Sequence, residues 1–249
     1  MRRVLFFTGL ALLLASLVAN GWLGQVALRN FVATSEVRLD PIGSKFYEAD
    51  RARAPAPGGV DAPLVVLFGD SRAVMWPSPW VPGYRVINRG IGNQTTAQML
   101  LRFDVDVAPL HPTVVVIEGG VNDLKTLPEI PERRGAIVAD CEANLSRIVD
   151  KCRQIGATVV LMNIIGIGHI PLWRRPLWSS EVADAVREVN AFLPRLAGEK
   201  VLHFDAGPLL TDERGDIRTE YQLDYLHLSP AGYNALDRTI VPLLSALPK

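Results

Sequence analysis

Neither sign of charge is in excess: 26 Lys and Arg balance 26 Asp and Glu over 249 residues. That balance argues against a nucleic-acid-binding surface and against an acidic, disordered chain. Cysteine is scarce. The two present, Cys141 and Cys152, are too few for a disulfide framework or a Cys-rich zinc site. Both fall in one expected helix, where the spacing puts them roughly 16 Å apart along the axis, too far to bridge. They read as small buried hydrophobes. His111, His169 and His203 form no ligand spacing, and H-E-x-x-H is missing, so no catalytic metal is expected. "NRGIGNQTT" has a G-x-G but Thr95 at the third glycine position, which weakens a dinucleotide-loop reading. No internal repeat is visible.

Long apolar runs are present at one end only. Arg2 and Arg3 precede an uncharged stretch from Val4 to Leu28. It is about 25 residues, long enough to span a bilayer as a helix. The basic flank predicts a cytoplasmic N-terminus with the rest outside. A cleaved signal peptide is the rival reading, with Val4 to Leu14 as its apolar core. It would give a secreted protein. Residues 1–30 are therefore expected to be an anchor or signal. Residues 31–62, with "RARAPAPGGVDAP", read as a stalk. Residues 63–249 read as the functional domain, large enough for a real core.

Within that domain, short Val/Leu/Ile-rich runs alternate with helical periodicity. The expected strands are Leu64–Phe68, Arg85–Asn88, Thr113–Glu118, Thr158–Met162 and Val201–Phe204. Their lack of polar alternation suits parallel strands covered on both faces. Apolar residues recur at helical spacing at Ile137, Cys141, Ile148 and Cys152, at Val182, Val186, Val189 and Leu193, and at Tyr233, Leu236 and Ile240. This alternation predicts a doubly wound α/β sheet, whose working groups gather at the carboxyl ends of its strands.

Four short motifs meet that placement. Gly69-Asp70-Ser71 follows the first strand, with Ser71 at a helix N-terminus. Free N–H groups there favour a developing anion. Alone, Ser71 reads more readily as a helix cap than as a nucleophile. "NRGIGNQTT" follows the second strand, with Thr95 or Thr96 as a cap. Gly120-Val121-Asn122-Asp123 follows the third. The Asn122 amide can donate to an oxyanion without adding charge, although a turn role suits it too. Asp224 and His227 lie just ahead of a helix capped by Ser229 and started by Pro230. Asp three residues before His can fix the imidazole tautomer, and the His can then take a proton from a serine.

Together, in this order, the motifs resemble the SGNH/GDSL hydrolase family, with matching from about Leu64 to Leu244. The resemblance implies a three-layer αβα, flavodoxin-like fold with a parallel five-stranded sheet. It also implies an ester-cleaving or acyl-transferring activity without a cofactor. Ser71 corresponds to the nucleophile, and Asp224 and His227 to the rest of the triad. The N–H of Ser71, the N–H of Asn93 and the amide of Asn122 correspond to the oxyanion hole. Two positions depart from the family pattern. Arg72 stands where Leu is frequent; it is expected to face away from the chemistry with little effect. Asn93 stands where the family has a second consecutive Gly. Asn is the least costly replacement if φ must be positive.

Trp76, Trp173 and Arg174 are the expected substrate-binding residues, since aromatic rings with arginines can grip a sugar or an anionic lipid. The expected substrate is an O-acetyl or short O-acyl ester on an envelope glycan or a lipid, reached from outside the membrane. A catalytically weakened, membrane-tethered binding domain and an O-acyltransferase are the competing expectations.

Overall fold

The computed structural model describes residues 2–52, 62–172, 174, 175 and 178–248. The chain divides into two units, Met1–Ser44 and Lys45–Lys249. The first holds one helix, α1 (Arg2–Leu39), none of whose residues is buried. By length and composition it can cross a membrane, a test that signal sequences also pass. The helix continues past residue 30, the expected end of the anchor, because nothing from Asn30 to Leu39 breaks it: no Gly or Pro falls there. The expected stalk is also shorter at its other end. From Lys45 the chain belongs to the second unit, and α2 (Glu48–Ala52) follows. There the Tyr47 hydroxyl donates to the Gly90 carbonyl at 2.6 Å. The Arg89 guanidinium lies 4.4 Å over the Tyr47 ring and pairs with Asp50 at 3.3 Å. The Pro/Ala/Gly-rich part of the stalk, 53–61, lies outside the described residues.

Five strands form the sheet of the second unit: β1 (Leu64–Gly69), β2 (Arg85–Gly90), β3 (Val114–Glu118), β4 (Thr158–Met162) and β5 (Val201–Phe204). They match the expected strands to within one or two residues at each end. All pair in parallel, in the order β2-β1-β3-β4-β5. The chain reverses direction across the sheet between β1 and β3. Ligands bind at such a switch point, outside the carboxyl ends of the strands.

Alternate strand residues enter two separate cores. Val66, Phe68, Val115, Ile117, Val159 and Leu161 pack with α4 (Thr96–Asp106), α6 (Arg134–Gln154) and α7 (Glu181–Phe192) through Phe103, Ile148 and Val186. Val65, Leu67, Val114, Val116 and Val160 pack with α9 (Pro230–Ser245) through Tyr233, Leu236 and Ile240. Each fully buried side chain of this kind contributes on the order of 1.5–3 kcal/mol. Three helices, α3 (Ser71–Val74), α5 (Val121–Leu124) and α8 (Gly207–Leu210), have four residues each. Helices this short are unstable alone. The sheet and the contacts around it therefore hold α3 and α5 in place. Cys141 and Cys152 are buried in α6, and burial pushes both thiols up, that of Cys152 to about 12, so neither is reactive.

Candidate active site

The turn that carries Ser71 depends on a close backbone approach. Gly69 pairs with Gly90 on one side and Glu118 on the other. A Cβ on Gly69 would meet the Glu118 carbonyl oxygen at 2.0 Å, so no larger residue fits. Asp70 caps α3: its carboxylate accepts from the Arg72 N–H at 2.9 Å. Ser71 is thereby the first residue of α3. Its N–H donates to no acceptor among the described residues.

The loop before α9 brings the imidazole to it. Asp224 Oδ1 accepts from the backbone N–H groups of Leu226 at 2.7 Å and His227 at 2.9 Å. Its Oδ2 lies 2.7 Å from His227 Nδ1. His227 Nε2 lies 2.9 Å from Ser71 Oγ, across 156 residues of sequence. Partial burial opposes the Asp224 charge. The hydrogen bonds from the His227 ring and the two backbone N–H groups outweigh it and hold the carboxyl below its ordinary range.

The opposite side is built deeper. Asn93 is exposed and has φ 61°, the left-handed conformation that a Gly or Asn tolerates best. Its N–H has no acceptor among the described residues, and its Oδ1 accepts from Lys125 Nζ at 3.4 Å. The next residues enter α4 through a capping box: Thr95 is the cap and Gln98 its reciprocal partner. Asn122 is buried. Its Nδ2 donates to Asp70 Oδ2 at 3.1 Å and to the Gln94 carbonyl at 3.0 Å. Both amide hydrogens thus have acceptors, one of them in the Asn93–Gln94 loop itself. Asp123 accepts from the Thr96 N–H at 2.9 Å and the Thr96 hydroxyl at 2.6 Å. Burial still pushes its carboxyl up to about 6.

Ser71, Asp224 and His227 are therefore bonded to one another at the carboxyl end of the sheet, Asn122 joins them through Asp70, and Asn93 directly precedes the Gln94 carbonyl that Asn122 holds. The tentative substrate residues do not all join them. Trp76 is 2% exposed, stacks on Tyr233 and donates its indole N–H to Asp237 at 2.8 Å. It is a core residue, drawn in by its apolar area and by a partner for its N–H. Trp173 lies outside the described residues. The Arg174 guanidinium lies 4.6 Å over the ring of Tyr225, inside the Asp224–His227 block, and Trp178 meets that ring edge-on at 5.6 Å.

Arg72 also departs from expectation. Its side chain does not face solvent: it is 1% exposed. The helix starts at Ser71 as expected, but backbone carbonyls at Ile165, Gly166 and Leu226 draw the guanidinium inward. Glu118 sits beside it, Oε1 to Nη1 at 3.9 Å. Burial and the neighbouring Asp70 charge push the Glu118 carboxyl well up. Sequence reasoning passed over Glu118 and Lys125. The signal available for the first was an acid closing the apolar run "VVVIE" opposite the turn that carries Arg72. No group of three or more His, Cys, Asp or Glu able to hold a metal ion occurs among the described residues.

The GDSL-like Lipase/Acylhydrolase family matches residues 59–235. Esterase TesA of Pseudomonas aeruginosa is 37% identical over 164 residues, covering 66% of this chain and 71% of TesA. The rat platelet-activating factor acetylhydrolase IB subunit alpha1 is 29% identical over 194 residues, 74% of this chain and 76% of the relative. A GDSL-like lipase from Bacteroides thetaiotaomicron superposes with TM-score 0.65 at 24% identity, over 82% of this chain and 97% of that one. With the family match spanning the sheet, the Gly-Asp-Ser turn and the Asp-x-x-His loop, the chain belongs to the GDSL-like lipase/acylhydrolase family and is an esterase or lipase of that type.

Proposed function

We propose that the chain cleaves an O-acetyl or short O-acyl ester through an acyl-enzyme on Ser71. The observation that carries this is the unbroken relay from Asp224 Oδ2 to His227 Nδ1 at 2.7 Å and from His227 Nε2 to Ser71 Oγ at 2.9 Å. His227 takes the Ser71 proton as Oγ attacks the carbonyl carbon, and Asp224 stabilises the imidazolium. The tetrahedral oxyanion accepts from the N–H groups of Ser71 and Asn93. Asn122 shares one amide hydrogen with it, partly releasing the Gln94 carbonyl. His227 then protonates the leaving alcohol. Water, deprotonated by His227, attacks the acyl-enzyme and restores Ser71. Each donor to the oxyanion supplies on the order of 10²–10³ in turnover.

The expected setting is the outer side of a membrane, with α1 as an anchor and Arg2 and Arg3 inside. The body reads as a three-layer αβα, flavodoxin-like domain beginning near residue 45. A short acyl group agrees with the acetylhydrolase activity in the name of one relative. The alcohol side is an envelope glycan or a lipid, read by the Arg174–Tyr225–Trp178 cluster at the rim. The full chain in detergent is expected to release acetate from p-nitrophenyl acetate and from either an O-acetylated glycan or an acetylated lysolipid. Ser71→Ala is expected to release none. Folded protein inactive on all of these esters, or active after Ser71→Ala, would overturn the proposal.

A further inference from the structure

Arg72 is a buried cation whose bonds do not stay within its own turn. Nε donates to the Leu226 carbonyl at 2.7 Å. Nη1 donates to the Ile165 carbonyl at 2.7 Å and Nη2 to the Gly166 carbonyl at 3.0 Å. Leu226 directly precedes His227, and its own N–H is held by Asp224 Oδ1 at 2.7 Å. Ile165 and Gly166 lie on the loop after β4. On the other side of the same residue, the Arg72 N–H fixes Asp70, which in turn accepts from Asn122. The Arg72 carbonyl accepts from Tyr233 of α9 at 2.8 Å. One residue next to the nucleophile thus touches the base loop, the oxyanion side, the loop after β4 and the last helix.

We infer that Arg72 is a positioning residue for the reaction: its guanidinium locks the Leu226–His227 peptide at the distance the Ser71–His227 proton transfer needs. The inference rests on the Ser71–His227–Asp224 reading above. Only a planar guanidinium meets the geometry. Three of its donors reach three carbonyls on two loops at once, and a lysine ammonium has no such fork. A buried carbonyl left without a donor pulls its loop toward another partner. Since α3 has four residues and the base loop is irregular, neither can hold the His227 Nε2 to Ser71 Oγ distance alone. A shift of about 1 Å between reacting groups costs on the order of 10² in rate.

The test is a double-mutant cycle on the full chain in detergent, with kcat expressed per active site titrated by a fluorophosphonate. Titration removes any loss due merely to misfolded protein. Arg72→Leu is expected to lower kcat about 100-fold and Arg72→Lys about 10-fold, with KM within about threefold of wild type. In an Asp224→Asn background, where His227 has already lost its orientation, the same changes are expected to cost less than about threefold. If Arg72→Leu does not accumulate, the Arg72→Lys cycle decides, because it keeps the charge beside Asp70. A per-site kcat within threefold of wild type in folded Arg72→Lys and, where it folds, Arg72→Leu would overturn the inference. So would an equal loss with and without Asp224. Failure of wild type to hydrolyse any ester would overturn the reaction it rests on, a result separable from either.

Discussion

Asp224 and His227 hold each other across three residues of one loop, with 47% and 22% of their side chains exposed. Asn122, 2% exposed, reaches 52 residues back to Asp70 and 28 back to Gln94. In the proposed reaction the Asp224–His227 contact of the base side is thus written locally and sits near water, although its placement against Ser71 is long-range. The proposed oxyanion side exists only once β1, β2 and β3 have assembled. A half-exposed hydrogen bond such as the one between His227 and Asp224 contributes about 0.5–1.5 kcal/mol to stability at most, whereas a buried polar group deprived of its partner costs about 1–3 kcal/mol. Damage on the base side should therefore appear mainly in the chemistry. Damage on the oxyanion side should appear in chemistry and stability together.

The largest expected effect belongs to the base side. Asp224→Asn is expected to lower kcat by about 10³–10⁴, the scale seen when a triad carboxylate is lost, with stability changed by less than about 1 kcal/mol in denaturant melts. A large stability loss would erase the contrast. Asn122→Ala is expected to lower kcat by about 10²–10³ and also to cost about 1–3 kcal/mol of stability, since Asp70 loses a buried donor. Unchanged stability in that variant would break the comparison from the other side.

The two sides also respond to pH with opposite sign. Asp224 has its carboxyl held low in the folded state. Its contribution to stability is present above the ordinary carboxylate range and is lost on acidification through the lowered value. Asp123, raised to about 6 by burial, binds a proton more tightly folded than unfolded. Its contribution is full below its unfolded value and is lost as pH rises through about 6. The stability of wild type relative to Asp123→Asn is therefore expected to fall by up to about 3 kcal/mol between pH 4 and 7. Chemical denaturation of both proteins across that range measures it, and a constant difference would contradict the buried charge.

The smallest effect is expected at Asn93. Its φ of 61° already suits glycine, so Asn93→Gly should keep kcat on p-nitrophenyl acetate within about tenfold, or 1.4 kcal/mol. A greater loss would mean that the side chain, or the Lys125 it holds, takes part in the hole.

The same division explains what the sequence reveals. Asp224-x-x-His227 and Gly69-Asp70-Ser71 carry their geometry in local spacing, so their residues could be picked out before any fold was known. The strands were legible because apolar runs such as Leu64–Phe68 lack alternation. Asn122 could be placed after a strand, but its engagement with Asp70 and Gln94 is a product of strand order. Arg72 was misread for the same reason: its partners at 165, 166 and 226 are far away in sequence, and helical position says nothing about them. Trp76 failed because position after Ser71 does not set the direction of a side chain. Burial of its ring against Tyr233 decided it. The continuation of α1 to Leu39 went unread because the apolar run ends well before the helix does.

The central claim is that Ser71 is the nucleophile activated by His227. Intact-mass measurement and peptide mapping after reaction with a fluorophosphonate test it most directly. The account predicts one adduct, on the peptide containing Ser71, absent in Ser71→Ala and slowed at least about 100-fold in His227→Ala. No adduct on folded wild type, an adduct on another residue, or an unchanged rate in His227→Ala would contradict it.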